Sequence, residues 1–169
     1  MNYNIIVAIC ENNGIGYNNS LPWNIKEDLK MFSKLTRGND NNAIIMGRNT
    51  FESLPNKFLP KRDNLILSSS IIIDEKRDNT LIKTFDNIDT IIKFCNNKNY
   101  EQVWIIGGEL IYQSFLRKNI INKLFITKIN KKYLCDRFFN YNEKEWKLAS
   151  SQKLENTLNI DVNLLVYEK

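Results

Sequence analysis

The chain has 169 residues, 43% of them hydrophobic and 25% charged, with a net charge of +5 at pH 7. That suits one soluble domain spanning 1–169, and the interspersing of acids with bases argues against a nucleic-acid groove. There is no histidine, and Cys10, Cys95 and Cys135 form no CxxC pair; this excludes Ser-His-Asp and Cys-His catalysis, most zinc chemistry and a disulfide framework, and fits a reducing cytoplasm.

Tyr3–Cys10 holds an apolar run too short for a membrane span or a signal-peptide core, and reads as a buried strand. Gly14-Ile15-Gly16 follows. Asn19 stands where a dinucleotide fingerprint needs its third glycine, and Pro22 comes before any helix. The segment therefore reads as a flexible loop, with Asn18-Asn19-Ser20 as turn formers, able to act as a lid. A helix is expected over Ile25–Leu35. From Asp28 the i+3, i+4 and i+7 neighbours are Met31, Phe32 and Leu35; from Glu27 the i+3 and i+7 neighbours are Lys30 and Lys34. Glu27 thus faces solvent, while Asp28 lies on the apolar stripe and needs a partner or a proton. It suits a cationic or amide-like ligand; a charge at the stripe's rim, or one paired internally, is the alternative.

A strand over Asn42–Met46 leads through Gly47-Arg48-Asn49 into a helix over Thr50–Leu54. Such a junction suits an anion, because a helix N-terminus presents unpaired N–H groups and Arg48 adds a bidentate donor. An ordinary capped helix with a surface arginine is the plainer reading. Arg62 enters the strand Asn64–Ser68 at its start, where it could hold a carboxylate, and Ser68-Ser69-Ser70 could bond a phosphate or ribose; either feature can also be structural. After a helix over Ile88–Asn96, the strand Gln102–Ile106 ends in Gly107-Gly108 and a helix over Glu109–Leu116. This is a second junction open to an anion, or to tight helix–strand packing. In the strand Lys123–Asn130, Thr127 is a hydroxyl among apolar residues and wants a polar partner. The last third, ending in a strand over Asp161–Tyr167, has long β-like stretches without a helix and suggests an antiparallel edge. The alternation as a whole is α/β with a mostly parallel sheet.

Leu21-Pro22-Trp23, Asp28-Leu29 with Phe32, Ile45-Met46-Gly47-Arg48-Asn49-Thr50, Ile66-Leu67-Ser68-Ser69, and Ile105-Ile106-Gly107-Gly108 with Tyr112 occur in this order. Together they resemble the dihydrofolate reductase family along nearly the whole chain. The resemblance implies one domain, with a mixed, mostly parallel sheet of about eight strands flanked by about four helices. It implies an oxidoreductase that reduces 7,8-dihydrofolate to 5,6,7,8-tetrahydrofolate with hydride from NADPH, serving one-carbon metabolism. It also implies a cytoplasmic monomer without metal or membrane attachment, inhibited by diaminopyrimidine or pteridine antifolates.

By position, the resemblance assigns Asp28, supported by Thr127, to the pterin amidine edge. Leu21 and Trp23 fall on the loop over the nicotinamide, and Tyr112 joins the catalytic set and the cofactor site. Ile6, Leu29, Phe32, Leu54, Leu59 and Ile106 fall around the pterin and benzoyl groups, and Arg62 at the substrate's glutamate carboxylate. Ala8, Ile15 and Gly16 line the nicotinamide side. Gly47, Arg48, Asn49, Thr50, Leu67, Ser68 and Ser69 belong to the cofactor site, mostly around its phosphates and adenosine ribose. Gly107 and Gly108 match a cis glycine pair, followed by Glu109 and Leu110 at the cofactor, and Asp136 matches an acid that holds the active-site loop closed. Two departures stand out: Glu109 where some members have a third glycine, and Leu110 where some have an arginine near the 2′-phosphate. NADPH preference then rests on Arg48, the serines and unassigned lysines. Two alternatives are another reductase on this scaffold, such as one of the riboflavin pathway, and a non-catalytic nucleotide- or nucleic-acid-binding module. The first is not expected to carry Leu-Pro-Trp before a helix-borne acid; the second predicts aromatics exposed among basic clusters.

Overall fold

The computed structural model describes residues Met1–Lys169. The first half runs β1 (Asn2–Ile9), β2 (Gly14–Gly16), α1 (Lys26–Arg37), β3 (Asn42–Gly47), α2 (Arg48–Ser53), β4 (Asp63–Leu67), β5 (Asp74–Arg77) and β6 (Thr80–Phe85). The second half runs α3 (Ile88–Lys98), β7 (Gln102–Gly107), α4 (Glu109–Arg117), β8 (Lys123–Ile129), β9 (Arg137–Phe138), β10 (Lys147–Lys153) and β11 (Val162–Glu168). Nine strands form one sheet in the order β10-β11-β8-β1-β7-β3-β4-β6-β5, and β2 pairs with β9 separately.

The middle of the sheet, β8-β1-β7-β3-β4-β6, is parallel throughout. Its inner strands β1, β3, β4 and β7 are buried on both faces, as helix-covered parallel strands are, while β6 and β8 are buried mainly on alternate residues. On one face Ile5, Val7, Ile45, Leu65 and Ile105 join Ile91 of α3 and Phe115 of α4. On the other, Ile6, Ile44, Met46, Ile66 and Trp104 pack with Phe51 of α2 and the half-buried Phe32 and Leu35 of α1. Each large aliphatic side chain buried this way contributes about 1.5–3 kcal/mol. Both margins are antiparallel: β11 against β8 and β10, and β5 against β6. Every residue of β5 and of β10 is exposed.

The expected α/β class, mostly parallel sheet, four helices and antiparallel C-terminal edge are all present. The six strands expected individually are joined by β5, β6 and β10, giving nine in the sheet against the eight or so that the resemblance implies. One expectation is corrected. Gly14–Gly16, expected as part of an irregular loop, is a short strand paired with β9, and neither glycine has a positive φ. Gly14 is small for another reason: a Cβ there would lie 2.3 Å from Cys135 Sγ. No helix is long and apolar enough to cross a membrane.

Candidate active site

A cavity of about 560 Å³ opens where β1, β3, β4 and β7 end. The carboxyl ends of parallel strands are where such sheets bind ligands. Asp28 enters it from the first turn of α1, where the helix dipole favours acids, as Lys34 and Arg37 suit the last turn. Thr127 Oγ1, reaching across from β8, donates to Asp28 Oδ1 at 2.7 Å. No Lys or Arg pairs with this carboxylate. Burial raises its pKa above the ordinary carboxylate range, and the Thr127 bond offsets this only in part. The other carboxylate oxygen has no protein donor. Leu21, Leu29 and Leu110 stand on the cavity at 51%, 48% and 71% exposure, beside exposed polar residues such as Arg48, Asn49 and Arg137.

The loop beside this carboxylate is anchored at three points. Tyr17 and Ser20 exchange backbone hydrogen bonds around Asn18 (φ 52) and Asn19 (φ 62), a hairpin turn needing two left-handed residues. Asp136 N donates to Gly16 O at 2.9 Å. Asp136 Oδ2 accepts from Asn18 N at 3.1 Å. Trp23 ends the loop in a separate core cluster with Ile25 and Ile129, its ring edge-on to Tyr133.

Both strand–helix junctions face the cavity through Gly47, Arg48, Asn49 and Thr50, and through Gly108, Glu109 and Leu110. The Gly107–Gly108 peptide is cis. A Cβ on Gly108 would find nothing nearer than Thr50 Oγ1 at 3.8 Å, so the space before the junction is open to a ligand. Tyr112 OH donates to Ile6 O at 2.9 Å and ties α4 to β1. Arg48 Nε donates to Glu52 at 2.7 Å, and its Nη1 to Ser70 Oγ at 2.9 Å. Glu109 is engaged too, accepting from Phe138 N at 2.8 Å.

Arg62 is 5% exposed and has no carboxylate partner. Its Nη1 donates to Thr36 Oγ1 at 2.8 Å and to Ser33 O at 3.4 Å, while Nε finds no protein acceptor. Burial, with Arg37 nearby, lowers its pKa to about 10, so it stays cationic at neutral pH. The protein thus leaves one donor of this buried cation unmatched.

A family model described as dihydrofolate reductase matches residues 2–169. The chain belongs to the dihydrofolate reductase family. It is 37% identical to a dihydrofolate reductase of Drosophila melanogaster, over 82% of this chain and 79% of that one. It is 39% identical to that of Buchnera aphidicola (91% and 87% covered) and 30% identical to that of Heliothis virescens (97% and 93% covered). With membership comes the activity, NADPH-dependent reduction of dihydrofolate to tetrahydrofolate.

The dihydrofolate reductase cavity gathers most residues expected of it. Ile6, Ala8, Ile15, Gly16, Leu21, Asp28, Leu29, Phe32, Leu54, Leu67, Ile106, Tyr112 and Thr127 join the two junctions in lining it. Trp23, Leu59, Arg62, Ser68, Ser69 and Gly107 are not on its wall. Leu59 is half-buried against the core cluster of Phe51 and Ile66, and Gly107 lies under the Tyr112 ring. Ser68 reaches Ser70, and Ser70 rather than Ser69 meets Arg48. Sequence reading missed Val7, Asn19, Ser20, Ser53, Ile111 and Arg137 on the wall. Ile111, in the first turn of α4, lies against Gly47. Arg137 gives no local signal, because only the β2–β9 pairing brings it in.

Proposed function

We propose that Asp28 is the group on which substrate recognition and activation turn. The observation that carries this is a carboxylate in an apolar cavity, held through one oxygen by Thr127 and offering the other, with no cation of the chain beside it. A pterin amidine edge presents two N–H donors and fits that acceptor pair. The negative charge favours the protonated ring imine, so Asp28 orients the ring and raises its affinity for a proton that solvent delivers. Arg62 takes the substrate's glutamate carboxylate, supported by its charge and by the lack of any carboxylate partner within the chain.

The open space before Gly108 and the glycine wall of Gly16 and Gly47 fit a flat cofactor ring and its phosphate chain. NADPH, when bound, supplies the hydride. Ala8, Ile15 and Gly16 hold its nicotinamide side; Thr50, Arg48 and the Ser68–Ser70 hydroxyls hold its phosphate and ribose side. The loop through Leu21 excludes bulk water, and Asp136 keeps it in place.

The same reading makes protonated diaminopyrimidines inhibitors, since they bring a cation to Asp28. It places the chain in the cytoplasm, supported by three thiols without a disulfide, and as a monomer of one domain, supported by the polar exposed strands at both sheet margins. The test is loss of NADPH absorbance on adding dihydrofolate. Turnover blocked by a diaminopyrimidine is expected. Turnover indifferent to saturating diaminopyrimidine would remove Asp28 from the recognition role.

A further inference from the structure

Cys10 and Cys135 lie 125 residues apart in sequence, yet their Sγ atoms are 3.8 Å apart. Cys10 follows β1 and is fully buried, while Cys135 stands in the β8–β9 loop and is partly exposed. Gly14 makes the approach possible, since a Cβ there would sit 2.3 Å from Cys135 Sγ and 3.0 Å from Cys10 Sγ. Cys95 belongs to the core cluster under α3 and α4, apart from both. A disulfide has an S–S length of about 2.05 Å, so these sulfurs must approach by less than roughly 2 Å.

We propose that Cys10 and Cys135 are a reversible disulfide-forming site that staples the loop after β1 to the loop before β9. The oxidant is a low-molecular-weight disulfide such as oxidised glutathione. The more accessible Cys135 loses its proton to solvent, and its thiolate attacks one glutathione sulfur. A Cys135–glutathione bond forms, the glutathione S–S bond breaks, and one glutathione thiolate leaves. Cys10, deprotonated in turn, attacks Cys135 Sγ and expels the second glutathione thiolate. Two protein thiols are oxidised, one oxidised glutathione becomes two thiols, and the two released protons end on the leaving thiolates. Burial, reinforced by Cys10, pushes the Cys135 thiol up to about 11, so exchange quickens as pH rises.

The stapled loops frame the proposed cofactor side of the cavity. Asp136, next to Cys135, holds Gly16 and Asn18. Oxidation therefore hinders opening of the segment through Leu21, and any step needing that opening slows. The bond itself does not depend on the folate reading; only its effect on turnover does.

The test incubates the whole protein with oxidised glutathione at about pH 8.5, the ordinary thiol value, then alkylates it after unfolding. Three reactive thiols should fall to one. A peptide pair joining Cys10 to Cys135 should appear and vanish with dithiothreitol. Steady-state turnover should drop several-fold and recover on reduction, with single-turnover hydride transfer preserved. Cys135→Ser, or Cys135→Ala if the serine variant folds poorly, should keep full turnover through the same treatment. Three thiols persisting, a glutathione adduct on Cys135 that never resolves, or a link through Cys95 would overturn the site. Unchanged turnover in fully linked protein would overturn its effect on the loop.

Discussion

Asparagine at position 28 changes charge while keeping shape. Thr127 Oγ1 can still donate to Oδ1 as it does now at 2.7 Å, so the side chain should stay in place. What is lost is the acceptor facing the cavity: an N–H₂ would meet the N–H groups of the pterin. Each charge-assisted hydrogen bond is worth about 1.5–3 kcal/mol. Two such bonds, about 3–6 kcal/mol together, correspond to a fall of roughly 10²–10⁴-fold in hydride transfer and in affinity for a protonated diaminopyrimidine. The fold should gain rather than lose. Burial raises the Asp28 pKa above its unfolded value, so between those two values the native state holds a proton that the unfolded chain has released. Stability therefore falls as pH rises through that window, and the deficit persists at neutral pH. Asparagine removes it. The assays are single-turnover absorbance of NADPH, inhibitor titration, and urea unfolding of both proteins from acid to neutral pH. Near-normal single-turnover rates would refute the reasoning, as would an Asp28→Asn protein less stable than the parent at pH 7.

Arg62→Leu should weaken folate binding by about 1.5–3 kcal/mol and leave NADPH affinity unchanged, measured by titrating each ligand separately; equal losses would remove the selective anchor. Tyr112→Phe deprives the buried Ile6 carbonyl of its side-chain donor, costing about 1–3 kcal/mol in urea unfolding. Gly14→Ala drives a methyl to 2.3 Å from Cys135 Sγ, whereas at Gly16 the nearest atom is 3.5 Å away. The former should therefore lower stability by about 1–3 kcal/mol and the latter much less, and equal Tm shifts would contradict this.

Apolar periodicity reports what an element buries, and here it was enough for the central strands, the four helices and the placement of Asp28 and Thr127. It does not report which polar segments meet. The hairpin of β5 with β6 begins with Asp-Glu-Lys-Arg, which carries no apolar signal, because its register comes from β4 beside it. The partners of Arg62 come from the far end of α1, and those of Arg48 include Ser70, which the serine run does not link to it in sequence. The two glycines before Leu21-Pro22-Trp23 suggested looseness; the structure shows that Gly14 accommodates a sulfur 121 residues onward.

The sheet's outermost strands have a consequence for life at high concentration. Along one border stand Asp74, Glu75, Lys76 and Arg77, and Lys83 reaches out to Asp74 at 2.8 Å. Along the other, lysines open and close β10, and its pairing slips between Leu148 and Ser150. A foreign strand seeking to extend either border must desolvate charge or match a kinked ladder. Both borders of the enzyme's sheet therefore set a desolvation or register cost against strand addition.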